Sequence, residues 1–206
     1  MKNWTNNFNS GMSYQQFSVD PLKPLTPESE SRIVQLKNDL ICVNGRSVLD
    51  IGCFAGLASV LSLELGASSV ISVDVDPTYL DNIQSWASEA NRPLVTSNSD
   101  FISLNNAHKA DVVIFMEVYH WLAHQGLSEN FIANKLNELA QTHIYIETPF
   151  DAWDPSIQRS MECRLHLYRI DLVLNMLINF GWRIEFLGMA NYFPADYRRA
   201  RFIASK

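Results

Sequence analysis

A short segment with one acid and two glycines is the first place where residue types and spacing could support chemistry. Asp50 closes an apolar run, and Gly52 and Gly56 follow it at the spacing G-x-x-x-G. A glycine turn lets a ligand approach backbone N–H groups closely, and the first turn of a following helix favours a negative group such as a carboxylate. The segment therefore predicts a cradle for a nucleotide-type ligand.

The spacing of the glycines and the acid before them narrow the choice of ligand. The pattern is not the G-x-G-x-x-G that receives the pyrophosphate of a dinucleotide, and the carboxylate of Asp50 would oppose a pyrophosphate. That carboxylate suits an ammonium group instead. The methionine part of S-adenosylmethionine carries an ammonium and a carboxylate together, so S-adenosylmethionine fits the cradle.

Two further carboxylates follow the next two apolar runs of the chain. Asp74 ends the second run, where it can accept hydrogen bonds from both hydroxyls of a ribose. Asp100 follows the third run and can accept a hydrogen bond from the exocyclic amine of adenine, beside Phe101, whose ring can stack. Since the ends of successive parallel strands meet at one edge of a sheet, the three acids predict a single adenosyl site.

This arrangement resembles the class I S-adenosylmethionine-dependent methyltransferases over roughly residues 47–206. The resemblance implies S-adenosyl-L-methionine as cofactor and S-adenosyl-L-homocysteine as product. It implies that the glycine turn surrounds the methionine moiety. The chain departs from the family at one position, since most members have glycine where this chain has Phe54. The implied cofactor-binding residues are Tyr14, Asp50, Gly52, Cys53, Phe54, Ala55, Gly56, Asp74, Val75, Asp76, Asp100, Phe101, Met116 and Glu117.

The segment after the fourth apolar run, residues 116–121, is where this family places the residues that face the methyl group. The N/D-P-P-Y motif of amino-group methylases is absent, which favours an oxygen acceptor or a small-molecule acceptor. His120 can act as a base near neutral pH, and Glu117 could do so if burial raised its pKa. These two are the predicted catalytic residues.

A weaker resemblance points to the acceptor. It spans Tyr14 and Gln15, the glycine turn, and residues 118–126 and 144–147, and it is to the methyltransferases that cap bacterial polysaccharide chains. It favours a small-molecule or saccharide acceptor. An RNA-modifying methyltransferase and an S-adenosylmethionine-binding protein without methyl transfer stay open as alternatives.

The acceptor atom decides which further groups are needed. A hydroxyl acceptor needs a base, for which we choose His120, whereas a phosphate or carboxylate acceptor needs cations. No metal is required for a hydroxyl acceptor or for a phosphate or carboxylate acceptor. Arg198 and Arg199 are expected as a surface pair. The arginines available to an anionic acceptor are Arg159, Arg164, Arg169, Arg198, Arg199 and Arg201.

Strands must position these residues, and the apolar runs are short and mostly rich in β-branched residues. Alternation of such runs with helical stretches predicts an α/β fold with a doubly wound, mostly parallel, seven-stranded sheet that ends in an antiparallel strand pair. The predicted strands are 48–51, 70–73, 94–95, 112–115, 144–146, 183–187 and 201–204.

Capping residues locate the helices between the strands. Thr26 and Asp76 are placed as amino-terminal caps before Pro27 and Pro77, and Gly181 should end the last helix. Residues 150–163 form an aromatic and polar insertion that could cover an acceptor. We expect residues 1–46 to cover the cofactor site and residues 47–206 to form the methyltransferase core. The predicted helices are 27–39, 56–65, 77–90, 127–140 and 164–180.

Composition excludes several other classes of protein. The 206 residues suit one domain, and no apolar run reaches transmembrane length. A formal net charge of −6 disfavours nucleic-acid partners. Cys42, Cys53 and Cys163 fit neither a disulfide framework nor a zinc site. Because residues 1–18 are polar, no signal peptide is expected, and the cytoplasm is the predicted location.

Overall fold

The computed structural model describes residues 16–19, 22–149, 169–192 and 199–206. The chain divides into two compact units, residues 1–104 and residues 105–206. In the described ranges, no helix combines the length and the apolar character needed to cross a membrane. Several residues singled out from the sequence lie outside those ranges, namely Tyr14, Arg159, Cys163, Arg164 and Arg198, together with the insertion 150–163.

The first unit carries the predicted cofactor residues on a three-stranded parallel sheet of order β5-β4-β3, preceded by a small antiparallel ribbon. Its elements are β1 (Phe17–Val19), β2 (Leu22–Pro24), α1 (Pro27–Asp39), a 3-10 turn (Ile41–Val43), β3 (Ser47–Ile51), α2 (Leu57–Glu64), β4 (Ser69–Asp74), α3 (Pro77–Glu89) and β5 (Leu94–Asn98).

The register of this sheet sets the depth of each acid. Asp50 pairs with Ser72 of β4, and Asp74 pairs with Asn98 of β5. Because the strands are parallel, β3, β4 and β5 all end at the same edge of the sheet. Asp50 lies one residue before the end of β3, whereas Asp74 is the last residue of β4. Asp50 is therefore the deeper of the two acids.

The second unit contains a four-stranded sheet of order β6-β7-β9-β8, in which β6 and β7 are parallel and β9 is antiparallel to both of its neighbours. Its elements are a 3-10 turn (Asn106–His108), β6 (Ala110–Met116), α4 (Tyr119–His124), α5 (Glu129–Leu139), β7 (Ala140–Pro149), α6 (Ile170–Asn179), β8 (Arg183–Met189) and β9 (Arg199–Ser205).

The predicted fold class is confirmed, because β3 to β9 belong to one mixed sheet of seven strands with a carboxyl-terminal antiparallel pair. The capping predictions also hold. Thr26 accepts a hydrogen bond from the backbone of Ser29, and Asp76 accepts one from the backbone of Thr78. Gly181 ends α6 with a left-handed φ of 90°.

Among the strands and α-helices of the described ranges, two features were not predicted. The ribbon of β1 and β2 was missed, because residues 20–27 suggested only an extended connector and each strand has three residues. The helix α4 was missed because its six residues are too few to show helical periodicity.

Candidate functional site

The glycine turn lies between β3 and α2 and is held against the neighbouring strand. The backbone N–H groups of Gly52 and Cys53 both donate to the carbonyl of Val73, at 2.8 and 2.9 Å. Gly56 has a φ of 79°, and a Cβ placed on it would lie 2.0 Å from Cδ1 of Ile83. Conformation and space therefore both demand glycine at this position. Within the turn, Cys53 and Ala55 are buried.

Phe54 occupies a conformation that usually belongs to glycine. Its φ is 49°, in the left-handed region, which costs a non-glycine residue about 1 kcal/mol. Its backbone N–H donates to Oδ2 of Asp74 at 2.9 Å. Its ring lies 4.2 Å from the ring of Tyr79, measured between centroids, and such a contact contributes about 1 kcal/mol. The ring contact with Tyr79 therefore offsets the backbone strain.

Asp50 is a buried carboxylate with side-chain partners. It is 2% exposed, and the hydroxyl of Ser59 donates to its Oδ2 at 2.6 Å. The Ser59 hydroxyl also lies 2.7 Å from that of Ser72. Burial raises the pKa of Asp50 to about 6, an effect that the hydrogen bond from Ser59 opposes. Asp74 raises this pKa further, while Arg32 of α1 lowers it. Arg32 is buried and was not singled out from the sequence.

This raised pKa predicts how stability depends on pH. With an ordinary value of 3.8 and a folded value of about 6, the native state binds more protons than the unfolded state between these values. Stability due to Asp50 is therefore lost as the pH rises through this window, by roughly 3 kcal/mol at most. We expect Asp50→Asn to raise the melting temperature at pH 7.5 and to lose most of that gain at pH 4. Thermal unfolding at the two pH values checks this; an equal gain at both would contradict it.

Asp74 connects the glycine turn to the loop after its own strand. Its Oδ2 accepts from Phe54, and its Oδ1 accepts from the backbone N–H of Asp76 at 3.0 Å. Asp76 in turn caps α3, and Val75 between the two acids is exposed. Each carboxylate oxygen accepts more than one hydrogen bond, so Asp74 can still receive hydroxyl groups. Its orientation is fixed by the backbone.

The end of β5 is hydrogen-bonded to the backbone of Asp74. The side-chain amide of Asn98 donates to the carbonyls of Asp74 and Val75, at 3.1 and 3.0 Å. Asp100 is exposed, and its pKa is lowered first by a hydrogen bond from the side chain of Ser103 and then by one from the backbone N–H of Ser103, which lies 2.8 Å from Oδ1. Phe101 is buried. Asp74 therefore joins the glycine turn to the loop of Asp100 within the first unit. Asn98 was missed in the sequence, where only a polar residue at a strand end marked it.

In the second unit, Met116 is the buried last residue of β6, and Glu117 follows it with a left-handed φ of 58°. The backbone N–H of Glu117 donates to the carbonyl of Glu147 at 2.8 Å. Its Oε2 accepts from Nε of Arg199 at 2.6 Å, and the two side chains are 19% and 3% exposed. The expectation that Arg199 lies at the surface is wrong. The residue is buried because the carboxylate of Glu117 compensates its charge.

His120 lies in α4 and is 4% exposed. The helix is fixed at its start by Tyr119, whose hydroxyl donates to Glu129 of α5 at 3.2 Å and accepts from the backbone N–H of Arg169 at 3.0 Å. Burial raises the pKa of Tyr119, so its hydroxyl stays neutral. The imidazole of His120 is therefore carried by a short helix with fixed neighbours.

The other described arginines of the candidate set also have protein partners. Arg201 donates to the carbonyls of Leu187 and Met189, at 2.9 and 3.3 Å. Arg169 forms an exposed ion pair with Asp171 at 2.8 Å. Arg169, Arg199 and Arg201 are thus engaged within the second unit.

Comparison with solved structures confirms the predicted fold. The magnesium protoporphyrin IX methyltransferase from Synechocystis PCC 6803, crystallised with S-adenosylmethionine, is 19% identical and has a TM-score of 0.64 over 87% of this chain and 80% of that one. WbdD, a bifunctional kinase–methyltransferase, is 15% identical, with a TM-score of 0.62 over 86% of this chain and 40% of its own. At these identities, both likenesses show the fold alone.

Comparison of sequences identifies the family. The ribosomal protein L11 methyltransferase of Salmonella arizonae is 32% identical over 105 residues, which are 50% of this chain and 30% of that protein. The chain thus spans less than a third of this relative. The matched family and the solved neighbours are S-adenosylmethionine-dependent methyltransferases, as the sequence predicted. Since the model of the ribosomal protein L11 methyltransferase (PrmA) family matches residues 34–142, more than half of the 206 residues, the chain belongs to that family.

Proposed function

We propose that the chain transfers the methyl group of S-adenosylmethionine to a hydroxyl oxygen of a small molecule or saccharide. The observation that carries this choice of acceptor is that the candidate arginines within the described ranges, Arg169, Arg199 and Arg201, are all engaged by groups of the protein itself. A phosphate or carboxylate acceptor would need cations that are available to it. A neutral hydroxyl needs a base, and His120 supplies one.

The cofactor-binding part of the proposal belongs to the first unit. Residues 52–56 receive the methionine moiety, Asp74 the ribose, and Asp100 with Phe101 the adenine. Supporting this, Asp74 accepts from the glycine turn and is fastened to the loop of Asp100. We further propose that residues 1–46 cover this site, because Arg32 of α1 acts on the charge of Asp50.

The protein has to supply few catalytic groups for this reaction. S-adenosylmethionine supplies an activated methyl group on a sulfonium that leaves as a neutral thioether. The residues of the chain must therefore align the acceptor oxygen, exclude water and remove one proton. We assign the proton to the imidazole of His120. Glu117 is a weaker choice of base, since its carboxylate is already paired with Arg199.

A protein acceptor is the second candidate function, and the family match favours it. The relatives in this family are named for ribosomal protein L11. Their match to this chain ends at residue 142, however, and Glu147, Arg199 and Arg201 all follow that residue. The arginines whose partners carry the choice of acceptor therefore lie beyond the matched part, although Glu117 and His120 lie within it. This is why we place a protein acceptor second.

Transfer of tritium from labelled S-adenosylmethionine into a cell extract tests the proposal. We expect label in low-molecular-mass or glycan material that survives mild alkali, because a methyl ether is stable there whereas a carboxylate methyl ester releases methanol. Label in precipitated protein would support the second candidate. Label that is removed by ribonuclease, with a steep dependence on salt, would identify an RNA acceptor. No label in any fraction would contradict methyl transfer.

His120→Ala provides a matched test of the base. We expect the rate of label transfer to fall by roughly 100-fold, the usual contribution of a general base, while binding of S-adenosylhomocysteine measured by calorimetry stays unchanged. His124→Ala, at the other end of α4, is the control. An unchanged rate in His120→Ala would remove the imidazole from the mechanism.

A further inference from the structure

Glu117 combines two costly features at one position. Its backbone is left-handed, with a φ of 58°, and its carboxylate is mostly withdrawn from water. A residue with a Cβ in this conformation is strained, and such strain persists only where the surroundings hold it in place. Strained residues of this kind cluster at functional sites, so the groups that hold Glu117 are informative.

Two groups in the second unit hold Glu117. The carbonyl of Glu147, on β7, accepts its backbone N–H at 2.8 Å. The guanidinium of Arg199, on β9, donates to its Oε2 at 2.6 Å. Arg199 stands opposite Pro149, the last residue of β7. The carboxylate of Glu117 is therefore fixed from a strand that lies 82 residues further along the chain.

We propose that Arg199 is a positioning residue that holds the Glu117 carboxylate in place to accept a hydrogen bond from the acceptor, which rests on the proposed function. The acceptor must then donate a hydrogen bond, as a sugar hydroxyl does. Glu117 keeps its charge throughout, and His120 takes the proton. A carboxylate offers about four lone pairs, more than the Nε donor of Arg199 uses.

The ion pair with Arg199 suits Glu117 to accepting a hydrogen bond and makes it a poor general base. A carboxylate in contact with a buried cation takes up a proton only at the cost of leaving that cation uncompensated. The other charged or titratable groups on the neighbouring elements are Asp111 of β6, His143, Tyr145 and Glu147 of β7, Arg201 of β9, and Tyr119, His120 and His124 of α4. Of these, Glu147 and Arg201 are Cα partners in the register of β7 and β9, so β9 carries a second cation opposite a second carboxylate.

The test compares Arg199→Lys and Arg199→Met in the full chain. Arg92 forms an exposed ion pair with Glu64 at 3.2 Å, so Arg92→Lys and Arg92→Met are the matched controls. Label transfer from tritiated S-adenosylmethionine into a cell extract is followed from pH 5 to pH 9. Calorimetry with S-adenosylhomocysteine and thermal unfolding report cofactor binding and folding.

We expect Arg199→Met to lower the rate at the optimum by about 100-fold, the size expected for a misplaced group. Its acidic limb should move to higher pH, because a carboxylate without its cation is protonated more easily. Arg199→Lys should restore part of the rate and the original acidic limb, and the Arg92 variants should match the wild type.

Three results would overturn the inference. Arg199→Met could keep the wild-type rate and pH profile while folded. Arg199→Met and Arg199→Lys could lose activity equally at every pH, in step with their melting temperatures, which would indicate a structural role only. A wild type that binds S-adenosylhomocysteine but labels no fraction would overturn the methyl-transfer function, and the inference with it. In the first two cases the proposed function stands.

Discussion

Asp74→Asn is expected to weaken the binding of S-adenosylhomocysteine by about 100-fold, because two charge-assisted hydrogen bonds to the ribose would be lost. The same change disturbs two backbone contacts, since Asp74 accepts from Phe54 and Asp76 at 2.9 and 3.0 Å. An amide oxygen can replace one of these acceptors but not both. Calorimetric titration measures the effect.

Asp81→Asn is the control for this prediction. Asp81 is exposed on α3, so its replacement removes the same charge from the same unit without touching the glycine turn. Binding by the Asp81→Asn protein should equal that of the wild type. If Asp74→Asn also bound S-adenosylhomocysteine like the wild type, the ribose would have to lie elsewhere.

Gly56→Ala is expected to destabilise the first unit by about 2 to 4 kcal/mol and to abolish cofactor binding. The added Cβ would lie 2.0 Å from Cδ1 of Ile83, and the φ of 79° disfavours any residue other than glycine. The side chain of Ile83 must rotate away, or α3 or the glycine turn must move. Urea unfolding and calorimetry with S-adenosylhomocysteine measure the two effects.

Gly45→Ala is the control that separates the effect of a left-handed backbone from the effect of crowding by Ile83. Its φ is 72°, but a Cβ placed on it has no atom within 4 Å. Gly45→Ala should therefore cost only about 1 kcal/mol. Adding Ile83→Val to Gly56→Ala removes the crowding atom and should recover part of the stability. Equal losses in the two alanine variants, with no recovery in the double variant, would show that crowding against Ile83 is unimportant.

The sequence predicted the acids of the first unit because strand ends in a parallel sheet are visible locally. Buried parallel strands are nearly continuous apolar runs, so the polar residue that ends each run is conspicuous. Asp74 was predicted in this way, and so was Asp76, whose capping role depends only on residues near it. The position of Asp74 between two loops was not visible, because it depends on Asn98 and on the left-handed backbone of Phe54.

The second unit was less predictable because its key contact is distant in the chain. Arg199 and Glu117 are separated by 82 positions, and an arginine beside a strand resembles a surface residue until its partner is known. The left-handed φ of Glu117 has no sequence signal either, since this conformation is uncommon outside glycine. The predicted strands 94–95 and 144–146 are shorter than the observed β5 and β7 for a related reason. β7 begins with Ala140 and Gln141 and β5 ends with Asn98, so the apolar run in each sequence is shorter than the strand.

A crystal structure of the chain grown with S-adenosylhomocysteine tests the central claim most directly. The measured quantity is the distance from the carboxylate oxygens of Asp74 to the ribose hydroxyls. We predict about 2.7 Å, the length of a charge-assisted hydrogen bond, with the adenine beside Asp100. A nucleoside bound away from the ends of β3, β4 and β5, with Asp74 contacting only the backbone of Phe54 and Asp76, would contradict the account.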